Sequence, residues 1–212
     1  MATIALVVST LVAVIPDKIR SLIEAILPAP ETCQDHPKLK RLDLKDLVKR
    51  SEGGVQGSSK LVEGSSAGDP NYDHEAELAI DYRPDTAWAP ERPAAGLPTG
   101  SRGEWIEINF SQPVDLHLVC VLNGYTRTGA NKEIYLKNAK LRDVTLTTGA
   151  NSTTTTLENL SVDSRFTYQE VNANDGLTKL VRLTIDDYYP AEIDSESSED
   201  TCLSEIEVWV PK

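Results

Sequence analysis

A chain of 212 residues with 40% hydrophobic content holds enough apolar material for one substantial core and a small second element. Its formal net charge of -12 argues against nucleic acid as a partner, because no basic stripe rises above the acidic background to release counterions from phosphates. Catalytic constellations are absent: the three histidines, His36, His74 and His117, share no ligand spacing with cysteine, and no Ser or Cys stands in a nucleophile motif beside a base.

The first 50 residues read as an appendage. Ala2 to Ile15 is an uncharged apolar run of 14 residues, short of the roughly 20 that a helix needs to cross a bilayer. After Pro16, the spacing of Ile19, Leu22, Ile23 and Ile26 places an apolar stripe on one side of a helix. Such a segment is a signal, a membrane or envelope anchor, or a docking helix for a protein partner or a second copy. From Lys38 to Arg50 six basic residues accompany two acidic ones. As a short helix this stretch attracts anionic headgroups at about 1 kcal/mol per basic residue, or else presents a solvated face.

Between Ser51 and Pro70 ten of twenty positions are Gly or Ser. Residues 51–64 are therefore expected to be a flexible linker, with a separate domain over residues 65–212. In that domain the periodicity changes to two. Ile106, Ile108 and Phe110 alternate with polar residues, Leu116 to Leu122 is nearly continuously apolar, and Leu141 to Leu146, Leu180 to Ile185 and Leu203 to Val210 follow. Turn formers at Ser111-Gln112-Pro113, Thr148-Gly149 and Asp175-Gly176 separate these runs, and the tract from Asn151 to Thr156 reads as a Thr-rich strand after a hairpin loop. Short strands divided by turns make an all-β sandwich.

Three segments together carry a resemblance. Leu78-Ala79-Ile80-Asp81-Tyr82-Arg83-Pro84-Asp85-Thr86-Ala87-Trp88 has the form A-x-D-x-x-x-D-T-x-W, Gly103 to Phe110 follows G-x-W-I-x-I-x-F, and Ser204-Glu205-Ile206-Glu207-Val208-Trp209 closes the chain. This combination resembles the discoidin or galactose-binding-like family. Its nearest likeness is to the bacterial NADase-type glycan-binding branch, where Asn123-Gly124-Tyr125 and Asn138-Ala139-Lys140-Leu141 have counterparts. The likeness runs from about Ser65 to Trp209. It implies a jelly-roll β-sandwich that binds a glycan or cell-surface polysaccharide and performs no chemistry.

The resemblance further implies a structural calcium ion held by the carboxylates of Asp81 and Glu205, the hydroxyl of Thr86, and carbonyls of Leu78, Arg83, Thr86 and Ser204. Calcium takes six to eight such oxygens. One departure stands out, since Tyr82 occupies a position where the family usually has Gly. The alternative is a Glu205 that accepts loop N–H bonds with no ion. Trp88 and Trp105 fall at framework positions. Candidate glycan contacts are Tyr125, Arg127, Asn131 and Tyr135 in one loop and Tyr188 and Tyr189 in a second, where aromatic faces meet polar groups suited to hydroxyls. The acidic run through Glu192, Asp194, Glu196, Glu199 and Asp200 reads as a solvated loop.

Of three cysteines, Cys120 and Cys202 could pair across the sandwich and leave Cys33 for another bond; reduced, buried thiols are the alternative. Two functional classes follow: a glycan-binding module tethered to a membrane, an envelope or a larger assembly, or an assembly subunit that uses the sandwich as a protein platform.

Overall fold

The computed structural model describes residues 33, 36–45, 54–61, 74–91, 101–127, 132–193 and 200–212. Among the described residues seven strands form one hydrogen-bonded network: β1 (Leu39–Arg41), β2 (Gly54–Gly57), β3 (Trp105–Asn123), β4 (Ala139–Thr148), β5 (Asn151–Thr156), β6 (Gln169–Tyr189) and β7 (Thr201–Pro211). Their order is β1-β7-β3-β6-β4-β5, with β2 beside β3. A short helix, α1 (Lys132–Lys137), connects β3 to β4.

The long strands explain how one network makes two layers. Residues 106–109 of β3 pair with β2 and 105–109 with 180–184 of β6, whereas 118–123 pair with β7 and 118–121 with 169–172 of β6. Register shifts at Asn109/Val114 and Leu116/Leu118 separate the halves, and such irregularities bend a strand and increase its twist. Both sets of turn residues expected to end strands, Ser111-Gln112-Pro113 and Asp175-Gly176, therefore lie inside continuous strands. The two layers enclose a core of Ile106, Ile108, Val119, Val121, Val144, Leu183, Ile206 and Val208 with Trp88 beneath the loop end. The expected all-β sandwich is observed.

Two expectations about the N-terminal part are corrected. Residues 54–57, assigned to the flexible linker, form β2 in register with Gly54 opposite Asn109 and Gly57 opposite Ile106. Beyond β2, Ser59 accepts the Trp88 indole N–H on its carbonyl at 3.1 Å, and buried Leu61 donates to Ala89 at 2.8 Å. The glycine content serves close approach: a Cβ at Gly57 would stand 2.7 Å from Trp88 Nε1. The basic segment expected as a helix runs as β1 along the edge of β7, pairing Leu39 with Pro211 and Arg41 with Trp209. An open sheet edge offers partners for every backbone group, and that outweighs a weak helical pattern. A helical turn begins only at Leu44. The apolar run and amphipathic stripe before Cys33 lie outside the described residues, as do 46–50, 51–53 and 62–73. No described helix is long and apolar enough to cross a membrane.

The cysteine pairing also differs. Cys33 bonds to Cys120, with Cα atoms 5.8 Å apart, and Cys202 is a buried thiol outside that bond whose Sγ donates to the Asp200 carbonyl at 3.7 Å. Cys120 is on the outer face of its layer, among Leu118, Leu122 and Tyr168, while Cys202 packs with Tyr125 and Leu61 at the loop end.

If β2 is part of the fold, Gly57→Ala must displace Trp88 or the Ser59 carbonyl and should cost about 1–3 kcal/mol of stability. Thermal unfolding measures this. A tether at that position would tolerate alanine with no change in Tm.

Candidate cation loop and ligand-facing end

The last strand brings two carboxylates into the protein. On β7, Leu203, Ile206 and Val208 enter the core, and Glu207 and Trp209 point to the outer face opposite Cys120 and Leu118. Glu205 pairs with Leu122 and Leu203 with Asn123, so Ser204 is the extra residue of a bulge. Glu205 and Glu207 are both fully buried. Glu207 is matched: Arg41 Nη1 donates to it at 2.7 Å and the Trp209 indole N–H at 3.1 Å. Neither carboxyl oxygen of Glu205 has a hydrogen-bond partner.

Facing Glu205 is the loop after a 3-10 helix (Ala76–Ile80) that contains Leu78. Asp81 Oδ1 accepts the Arg83 N–H at 2.8 Å and closes an Asx turn. Tyr82 takes φ 61, the left-handed region that favours glycine, so the residue that departs from the family pattern keeps the glycine conformation. The Thr86 hydroxyl lies 3.0 and 3.1 Å from the two Asp81 oxygens and 2.8 Å from the Arg83 carbonyl. A single hydroxyl proton cannot serve three acceptors. Burial first, and then the neighbouring Asp81 carboxylate, push the Glu205 pKa up to about 9, while the Arg83 and Tyr82 N–H groups, which approach it without reaching hydrogen-bond geometry, pull the other way. The buried carboxyl without hydrogen bonds, the second carboxylate and the turned-in oxygens form an all-oxygen donor set. It suits a hard cation. No trio of His, Cys, Asp or Glu converges among the described residues, so a nitrogen- or sulfur-based centre is not built from them.

Ser204 serves the neighbouring loop with its side chain. Its hydroxyl accepts the Thr126 N–H at 3.0 Å and donates to the Gly124 carbonyl at 2.9 Å, while the Thr126 hydroxyl donates to the Pro84 carbonyl. Fully buried Thr126 thus ties the cation loop, β7 and the β3–α1 connection together, a residue that the motif comparison missed.

The aromatic platform expected in that connection is not on the surface. Tyr125 is buried against Cys202, Ala87 and Leu61, edge-on to His74, and burial, followed by an opposing Arg127 effect, pushes its hydroxyl up to about 12. Tyr135 is 1% exposed; Lys140 Nζ sits 4.6 Å from its ring centroid and bonds Glu192 at 2.8 Å. Gly124, at φ 85, lies so close that a Cβ would meet the Tyr135 ring at 2.7 Å. Both tyrosines are corrected from ligand contacts to framework, because short connections over a core end recruit large amphipathic rings to cover it. Arg127 is half-buried, and Asn131 lies outside the described residues. Tyr188 and Tyr189 are half-buried strand residues at the end of β6. The Tyr189 hydroxyl donates to the Leu157 carbonyl at 3.0 Å, and the Arg102 guanidinium lies 5.6 Å from the Tyr188 ring centroid while bonding Asp187.

Since folding raises the Glu205 pKa from an ordinary 4.5 to about 9, the stability tied to its proton is full below 4.5 and is lost as pH rises toward 9. In chelator, Glu205→Gln should therefore match wild-type stability near pH 5 and exceed it increasingly toward pH 8.5, by up to about 1.4 kcal/mol per pH unit. Melting curves across pH check this; a difference independent of pH would show that Glu205 is not the group responsible.

Sequence comparison with curated proteins yields no match. Among solved structures, CBM32-3 from a family 31 glycoside hydrolase of Clostridium perfringens superposes with a TM-score of 0.50 at 17% identity, over 81% of this chain and 95% of that one. The Clostridium perfringens module CpGH89CBM32-5, in complex with GalNAc-β-1,3-galactose, gives 0.49 at 14% identity over 80% and 99%. The mycobacterial arabinofuranosyltransferase AftD gives 0.49 at 16%, over 74% of this chain but only 11% of that protein's length. At such identities the likeness is one of fold. The family model of the NAD glycohydrolase translocation F5/8 type C domain matches residues 51–209, from just before β2 to the end of the sandwich, and the chain belongs to this discoidin-like family.

Proposed function

We propose that this chain is a non-catalytic glycan-binding module whose loop end is braced by a structural calcium ion. The observation that carries the reading is the Glu205–Asp81 pair, a buried carboxyl without a hydrogen bond beside a second carboxylate, tied through Ser204 and Thr126 to the connection that bears Arg127. Asp81 and Glu205 would hold the ion with the Thr86 hydroxyl and the Leu78, Arg83, Thr86 and Ser204 carbonyls. Bound there, it would neutralise the buried Glu205 carboxyl, whose charged form burial disfavours. With Tyr125 and Tyr135 in the framework, glycan contact falls to Arg127, to Asn131 and to the Arg102–Tyr188 pair, which offer guanidinium groups and a partly exposed ring. The fold it shares with a module of a glycoside hydrolase supports a binding rather than a catalytic role. Attachment to a membrane, an envelope or a larger assembly would run through residues before Cys33, because residues 36–45 dock on the sandwich itself.

The second reading, a protein-interaction platform, is favoured by the translocation role in the family's description. A glycan array probed with the full chain, in calcium and in chelator, separates the two. Arg127→Ala and Tyr188→Ala should each weaken binding by about 1 kcal/mol or more with Tm unchanged, whereas Tyr125→Ala should lower Tm. A wild type that binds no glycan but co-purifies with a defined protein partner would decide for the platform.

The ion has its own test. Chelation should lower the wild-type Tm, and Asp81→Ala and Glu205→Ala should each remove that response, since a ligand bound only by the native state stabilises it. A wild-type Tm indifferent to chelator would retire the ion.

A further inference from the structure

Cys33 and residues 36–45 lie on the outer face of the layer that carries Glu205 and Glu207. This N-terminal part is fastened at three points. The Cys33–Cys120 disulfide pins its start to β3. In its middle, β1 pairs with β7, the Leu42 N–H donates to the Val208 carbonyl at 2.8 Å and Arg41 meets buried Glu207 at 2.7 Å. At its end it reaches the cation loop: the Leu44 N–H donates to the Tyr82 hydroxyl at 2.7 Å, and that hydroxyl donates to the Leu42 carbonyl at 3.2 Å. Arg41 and Lys45 stand 4.8 and 5.1 Å from the Tyr82 ring centroid, and Leu44 is fully buried beside Ala79 and Ile80 in the main core.

Tyr82 is the joint between strap and loop. A left-handed conformation is unfavourable for a bulky residue, which holds it only where its surroundings over-determine it. Here the surroundings are the strap. At φ 61 the backbone turns the Asp81 carboxylate toward Thr86 while the Tyr82 ring is clasped from outside.

We infer that residues 36–45, latched through Cys33, are a strap that sets the geometry of the Asp81–Thr86 loop through Tyr82, and that opening the Cys33–Cys120 bond releases that loop. Tyr82 is a positioning residue: it acts on the oxygen donors from outside them. The consequence for cation affinity rests on the calcium reading above; the mechanical coupling does not. Opening the latch with a dithiol reductant breaks the S–S bond, delivers two electrons and two protons to give two thiols, and leaves the reductant as a cyclic disulfide. Both sulfurs are buried, so Cys33→Ser provides the unlatched state without depending on access of the reductant.

The test is amide hydrogen exchange on the full chain, oxidised, reduced with dithiothreitol, and as Cys33→Ser, Tyr82→Phe and Tyr82→Gly, each with a parallel calcium titration followed by Tm. In the unlatched forms, exchange across residues 81–86 should rise at least tenfold while the β4–β5 hairpin is unchanged, and half-saturation by calcium should shift at least fivefold upward. Tyr82→Phe, which keeps the ring but loses both hydrogen bonds, should fall between wild type and Tyr82→Gly. Unchanged exchange at 81–86 in both the reduced protein and Cys33→Ser would overturn the strap, even with calcium binding intact. Raised exchange in a protein whose Tm ignores calcium would uphold the strap and remove the ion.

Discussion

A buried carboxyl with no hydrogen bond is the constraint around which this end of the molecule is arranged. Glu205 and Glu207 are two residues apart on the same face of β7 and equally buried, yet only Glu207 has a guanidinium and an indole N–H to meet it. A lone ionised carboxyl in such surroundings is strongly disfavoured, so it must keep a proton, find a cation or unfold its neighbours. The rise of its pKa to about 9, caused first by burial and next by Asp81, is the energetic trace of that conflict. Local features answer to it: the bulge at Ser204 frees that hydroxyl for the adjacent loop, and Tyr82 holds a glycine conformation so that Asp81 and Thr86 turn inward.

The layered core supplies the rigidity this arrangement needs. Because β3 and β6 bend from one layer into the other, the end where Trp88, Gly124 and Leu203 meet is built from chain segments far apart in sequence. Trp88 is central to that end. Its indole is 1% exposed, its backbone exchanges both hydrogen bonds with Leu203, and its ring N–H reaches across to the Ser59 carbonyl just beyond β2. A small residue at Gly57 is therefore the counterpart of a large one at Trp88, which is how interiors interdigitate at close packing.

What could be read from the amino-acid order divides along physical lines. Strand periodicity exposed the sandwich, since Ile106, Ile108, Val119 and Val121 must face the core whatever else happens. The motif around Asp81 and Glu205 was legible because it encodes a local turn and a terminal strand. Residues whose role depends on tertiary partners were not. Glycine-rich composition around Gly54–Gly57 looks the same whether the chain is solvated or pressed against an indole. Tyr125 and Tyr135 carry the same amphipathic side chain as a sugar platform, and only the cover they give to Cys202 and Lys140 reveals them as framework. The partner of Cys33 followed from which face Cys120 occupies, a matter of one residue's parity along β3. The signal that was available and informative was Tyr82, because a bulky residue in a glycine position asks what holds it there.

The tie at Thr126 joins the two halves of the functional argument. Its hydroxyl bonds the Pro84 carbonyl in the cation loop, and its N–H donates to Ser204, the residue before Glu205. The next residue along is Arg127, half-buried at the loop end of the sandwich. A loop fixed in this way gives a guanidinium a defined direction at little further loss of entropy, and that is where affinity for a hydroxylated ligand is gained. In the proposed reading, an ion that never touches the glycan would still govern its binding: neutralising Asp81 and Glu205 would stiffen the 81–86 loop, the Thr126 bonds would carry that stiffness to residues 124–127, and Arg127 would meet its ligand already oriented.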